Sequence, residues 1–140
     1  MTSNGNARID KLVPRVRRMI RRYVHIRSGE KCGIRYEDLD TASPEDRERF
    51  REARRRVCDD AFYTMRSARS RQDFVEFFAG SVCSAPQIGA SDPALIEALL
   101  ADDTRWEAVR IMSLMNVSPM WDEWLPGEGP TNAERKGSEE

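Results

Sequence analysis

The stretch "PRVRRMIRRYVHIR", residues 14–27, sets six arginines into a frame of aliphatic and aromatic side chains. Read at about 100° per residue, Leu12, Val13, Val16, Met19, Ile20, Tyr23, Val24 and Ile26 fall on one side. Arg15, Arg17, Arg18, Arg21, Arg22 and His25 take the other, and not one acid lies between Lys11 and Gly29. This is helical periodicity with a core-facing stripe behind a cationic face. Pro14 suits a first helical turn, where its missing N–H is not needed. The helix is therefore predicted to start there and to run to about Arg27, ahead of the "SGEKCG" stretch at 28–33.

The same periods recur outward from this helix. "GIRYEDLDTA" (33–42) reads as a loop ordered by Ile34, Tyr36 and Leu39. "SPED" at 43–46 has the form of a helix start, with Ser43 as N-cap, Pro44 first and acids in the opening turn. A second helix over about 44–69 follows, with Phe50, Ala53, Val57, Ala61, Met65 and Ala68 as its apolar stripe. A third is predicted through "RQDFVEFFAGSVCSA", burying Phe74, Phe77, Phe78 and Val82 until Pro86 and Gly89 end it. Ser91 can cap a short helix through "PALIEALL", and Asp102 or Asp103 can open a last one reaching about Asn116. In that last helix Trp106, Val109, Ile111, Met112, Leu114, Met115 and Val117 are apolar almost all round, which predicts a central, buried position. No strand pattern, internal repeat or glycine-rich phosphate loop is present. The fold class expected is an all-α compact bundle of four to six helices. Residues 1–12 are expected to be a flexible N-terminus, 13–118 the bundle domain, and 119–140 a loosely docked or disordered polar tail.

At 140 residues, with 34% charged and 39% hydrophobic residues, the chain has the length and composition of one soluble domain. Its apolar runs are too short to span a bilayer, and "TSNGNARID" after Met1 lacks the apolar segment of a secretory signal. Cys32, Cys58 and Cys83 are odd in number and widely spaced, which forms neither a disulfide framework nor a metal knuckle. A reducing cytoplasm is the expected location.

The net charge of −1 conceals a strong asymmetry. Residues 1–71 carry 19 Arg/Lys against 11 Asp/Glu, whereas residues 72–140 carry 4 against 13. Such a division suggests a polyanionic or acidic partner on one side. Arginine outnumbers lysine 20 to 3, which a GC-rich genome also produces. Placement, not abundance, carries the information.

Catalytic readings find little support. His25 is the one histidine, set among arginines that disfavour its protonation, and no local motif pairs it with a cysteine. Asp59–Asp60 and Asp102–Asp103 are adjacent, so on helices their carboxylates diverge. No enzyme activity, cofactor or metal is expected. The arginine face is the strongest signal, since guanidinium forks donate paired hydrogen bonds to phosphate and stay charged. Its candidate nucleic-acid contacts are Arg15, Arg17, Arg18, Arg21 and Arg22. On a flank of the second helix, Arg51, Arg55, Arg66 and Arg69 add weaker candidates because nearby acids can neutralise them, with Phe62 beside them as a stacking surface. The alternatives are docking on an acidic protein surface, on the chain's own acidic half, or solvation. No motif for base-specific readout is present.

Three stretches together carry a resemblance: "RRYVHIRSGEKCG", "EARRRVCDDAFYTMRSARSRQDFVEFFAGSVCSAPQ" and "DDTRWEAVRIMSLMNVS". Over about residues 12–118 their order resembles the C-terminal helical region of the large subunit of type I-B-like and myxobacterial-type CRISPR interference complexes. In several type I systems that region is also made separately, from an internal start, as the small subunit of Cascade; a chain with a methionine just ahead of the first helix looks like that product. The resemblance implies a non-catalytic subunit, present in more than one copy beside CRISPR backbone and large subunits. It also implies a basic surface steadying the guide RNA–target DNA complex and the displaced single strand of the R-loop, as antiviral defence. The PAM-reading part of the large subunit lies outside the region of resemblance. Two alternatives remain: a structural adaptor for acidic protein surfaces, and a stand-alone, sequence-nonspecific nucleic-acid-binding regulator.

Overall fold

The computed structural model describes residues 2–78, Val82 and residues 105–129. It is all-α: α1 spans Thr2–Cys32, α2 Pro44–Arg66, α3 Arg71–Phe77 and α4 Arg105–Met120, with a 3-10 helix at Tyr36–Thr41. No strand occurs among the described residues. The predicted helix through "PALIEALL", the segment after Phe78 except Val82, and residues 130–140 lie outside them.

α1, α2 and α4 pack on one another, and α3 packs against α4. Their shared core joins Leu12, Val16, Met19, Ile20 and Val24 of α1 to Val57, Cys58, Ala61 and Met65 of α2. Trp106, Val109, Val117 and Met120 of α4, together with Phe74, Phe78 and Val82, complete it. The full α2 stripe expected from sequence is buried, including Ala68 just beyond the helix end. Ser43 caps α2 as predicted, its Oγ accepting from the Asp46 N–H at 3.1 Å. Ser70 does the same for α3, accepting from Asp73.

α1 departs from expectation at both ends. It begins at Thr2, so Pro14 lies inside the helix and not at its first turn. It also continues through Ser28 and Gly29 to Cys32. Ser28 is buried, and its hydroxyl donates to the Val24 carbonyl at 2.6 Å, so its polar group is satisfied within the helix. Gly29 is required for space: a Cβ there would sit 2.8 Å from the Ile34 carbonyl oxygen. The true stop is Gly33, with φ at +77° and its N–H bonded to the Gly29 carbonyl at 2.8 Å, the left-handed conformation that ends many helices. The stripe is also narrower than the wheel implied. Val13 is exposed, and Tyr23 and Ile26 are half-buried.

α4 is not buried all round. Trp106, Val109, Val117 and Met120 face the core, while Ile111 and Met115 are 52% and 69% exposed. Its second apolar face is therefore a surface. α4 also extends past Asn116 to Met120, with Pro119 in the last turn. The chain beyond it docks: Leu125 is buried with Leu39 and Phe50 in a second, smaller core.

Candidate nucleic-acid interface

The narrow stripe of α1 leaves a ridge on the opposite side. Lys11, Arg15, Arg18 and Arg22 recur at intervals of four, three and four, which keeps them on one helix face. Lys11, Arg18 and Arg22 are exposed and Arg15 is half-buried. Arg17 is exposed on the flank, and neither it nor Arg18 forms an ion pair among the described residues. Lys11 was not among the sequence candidates, although its spacing to Arg15 was a signal that could have found it. The ridge is about 16 Å long at 1.5 Å per residue, the length over which one duplex strand carries about five phosphates.

Arg21 and His25 do not belong to that ridge. Arg21 forms a paired contact with Glu123, Nη1 donating to Oε2 at 3.0 Å and Nη2 donating to Oε1. That hydrogen bond holds the Arg21 guanidinium still more firmly protonated, against a smaller opposing effect of burial. His25 stacks on Tyr36, ring centroids 3.7 Å apart and planes 11° apart. Its pKa falls to about 4, first because it is buried and then because Arg21 is near, so it is neutral at pH 7.

The α2 arginines turn mostly inward, onto the chain's own C-terminal segment. Arg47 donates to the carbonyls of Pro126, Asp40 and Ala42 at 2.8, 2.9 and 3.2 Å. Arg51 pairs with Glu48 at 2.7 Å and with Glu128 at 2.5 Å. Arg55 lies over the Trp121 ring, 4.7 Å from its centroid. Arg51 and Arg55, expected on the nucleic-acid surface, are thus committed within the fold. Arg66 and Arg69 are exposed. Phe62 is half-buried and packs against the core.

Arg54 was missed altogether. It is fully buried, donates to the Glu123 carbonyl, and has no acceptor for Nε and Nη1 among the described residues. Burial lowers its pKa. Sequence alone gave no signal, because Arg54 looks like its neighbours in the "RRR" run until its partner, 69 residues on, is known.

Cys58 is buried and free, and burial pushes its thiol up to about 12, so it stays protonated at neutral pH. Cys32 is free and half-buried; Cys83 lies outside the described residues. Among the described residues no helix is long and apolar enough to cross a membrane.

A family profile described as "Type I-B CRISPR Cas8b C-terminal domain" matches residues 1–120, which includes the whole ridge and the helices behind it. The chain belongs to this family. The Cas8b C-terminal match spans all four described helices and agrees with the resemblance carried by the three quoted stretches. It gives the chain a role related to type I-B CRISPR interference. No curated protein and no solved structure matches the chain significantly.

Proposed function

We propose that this chain is a non-catalytic, DNA-holding subunit of a type I-B Cascade complex in the cytoplasm. It would act as the small subunit, in more than one copy beside the backbone and large subunits. The observation that carries this reading is the contrast between two sets of arginines. Arg47 and Arg51 of α2 are turned onto the chain's own carbonyls and carboxylates, whereas Arg17 and Arg18 of α1 stay exposed, with no ion pair among the described residues, on a helix whose back is fixed in the core.

Such a ridge suits backbone contact without base readout, which fits a complex that delegates sequence recognition to guide pairing. R-loop formation exchanges one duplex for another at nearly equal free energy, so a few phosphate contacts can tip it. The target strand in the guide duplex and the displaced strand both offer that phosphate.

The test is binding of the assembled complex to target DNA over a salt series. Replacing Arg17, Arg18 and Arg22 together with alanine should weaken binding and flatten the dependence of log K on log salt. The slope should change by roughly 0.9 per lost contact on duplex and 0.7 on single strands. Unchanged affinity and slope in a folded triple variant would remove the ridge from the DNA path. Loss of subunit incorporation with no change in salt slope would favour an adaptor role.

A further inference from the structure

A groove of about 360 Å³ opens between α2 and the end of α4, away from the ridge. Cys58 and Val117, both buried, lie at its base, and Phe62 and Trp121 wall it. Asp59 and Asp122, both exposed, stand at its rim. Trp121 is held in place twice. Its Nε1–H donates to Asp59 Oδ1 at 3.0 Å, and its ring rests on the Arg55 guanidinium. Even so, 42% of this large side chain remains exposed. Asp122 has no ion-pair partner among the described residues.

A pre-oriented indole beside two carboxylates recognises one chemistry best: a flat cation. We propose that the groove receives an arginine side chain presented by a neighbouring protein. The guanidinium plane would lie on the exposed indole surface, a contact that strengthens as it is desolvated. Its fork would donate to the free oxygens of Asp59 and Asp122. Arg55 already supports the ring, so little side-chain freedom remains to be lost on binding. The two rim carboxylates repel a phosphate backbone, which argues against a nucleic-acid strand here. The site uses residues outside the arginine ridge, so this docking role and the DNA-holding role can fail independently.

The test uses the full chain, labelled with ¹⁵N, and follows the Trp121 indole N–H resonance, assigned by its loss in Trp121→Phe. The probe is the peptide acetyl-Gly-Arg-Gly-amide, with its citrulline counterpart and a thymidine oligonucleotide as comparisons. A saturable shift in the millimolar range is expected with arginine, and a response at least about five-fold weaker with citrulline. Asp122→Asn and Asp59→Asn should each weaken the arginine response several-fold. Asparagine at 59 keeps an acceptor for the indole, and 122 is exposed, so the remaining spectrum reports that the fold is intact. No response to arginine, an equal response to citrulline, an undiminished response in both the Asp59→Asn and the Asp122→Asn variants, or a stronger response to the oligonucleotide would each overturn the proposal.

Discussion

Glu123 closes on Arg21 across 102 residues of sequence with both carboxylate oxygens, while its backbone carbonyl takes a hydrogen bond from buried Arg54. One residue just past α4 thereby joins α1 to α2. The cationic half of the chain meets the anionic half at this point, which neutralises part of the charge asymmetry inside the molecule.

Replacing Glu123 with alanine should lower stability by about 1–2 kcal/mol, since a half-buried paired contact is lost while the backbone bond to Arg54 can persist. The Arg21 hydrogen bond holds the Glu123 carboxyl below its usual range. Its contribution is therefore present above about pH 4.5 and declines as pH falls through the folded-state value. Urea midpoints at pH 7 and pH 3 check both parts: the difference between wild type and Glu123→Ala should shrink at the lower pH.

His25 should make stability depend on mildly acidic pH. Its folded pKa of about 4 lies below the ordinary 6.5, so the unfolded chain binds the proton more readily between those values. Stability is then fully present above pH 6.5 and falls toward pH 4, by something on the order of 3 kcal/mol. His25→Gln should flatten the urea-midpoint profile across that window. A wild-type profile that is already flat there would mean the imidazole is not held neutral.

Gly29→Ala pits helix propensity against space. Alanine gains about 1 kcal/mol in a helix interior, but its Cβ would meet the Ile34 carbonyl at 2.8 Å. That neighbour is backbone, so the clash should win with a net loss of about 1–3 kcal/mol. A thermal melt of the variant gives the sign directly.

Arg51→Ala and Arg18→Ala should separate structure from surface. Arg51 holds Glu48 and Glu128 with a largely covered side chain, so its loss should lower the unfolding midpoint by the equivalent of about 1–2 kcal/mol. Arg18 is exposed and unpaired by any carboxylate among the described residues, so its loss should stay within about 0.5 kcal/mol. Paired chemical denaturation curves decide.

The helices were legible because their signals are local. Ser43 with Asp46 marks a cap within one turn, and Phe50 through Met65 repeat at three and four residues. The far end of α1 is not legible in the sequence, because glycine and serine usually break helices. Here Ser28 bonds back into its own helix and Gly29 makes room for a returning chain, and the second of these is a tertiary fact. The arginine ridge could be placed by periodicity, but the fates of Arg21, Arg51 and Arg55 could not. Apart from Glu48, three residues before Arg51, the partners that turn them onto the C-terminal segment lie 66 to 102 residues away, beyond any local pattern. α4 misled for a related reason: an apolar face looks the same in a sequence whether it meets the core or the outside, as Ile111 and Met115 do.

Leu125 also bears on where this unit can be trimmed. The family match stops at residue 120, yet five residues later Leu125 seals Leu39 and Phe50, and Arg47 and Arg51 grip Pro126 and Glu128. A truncation drawn at the homology boundary would bare two large apolar side chains and strand several guanidinium groups. An excised version intended for crystallisation or reconstitution should therefore retain the chain through Gly129.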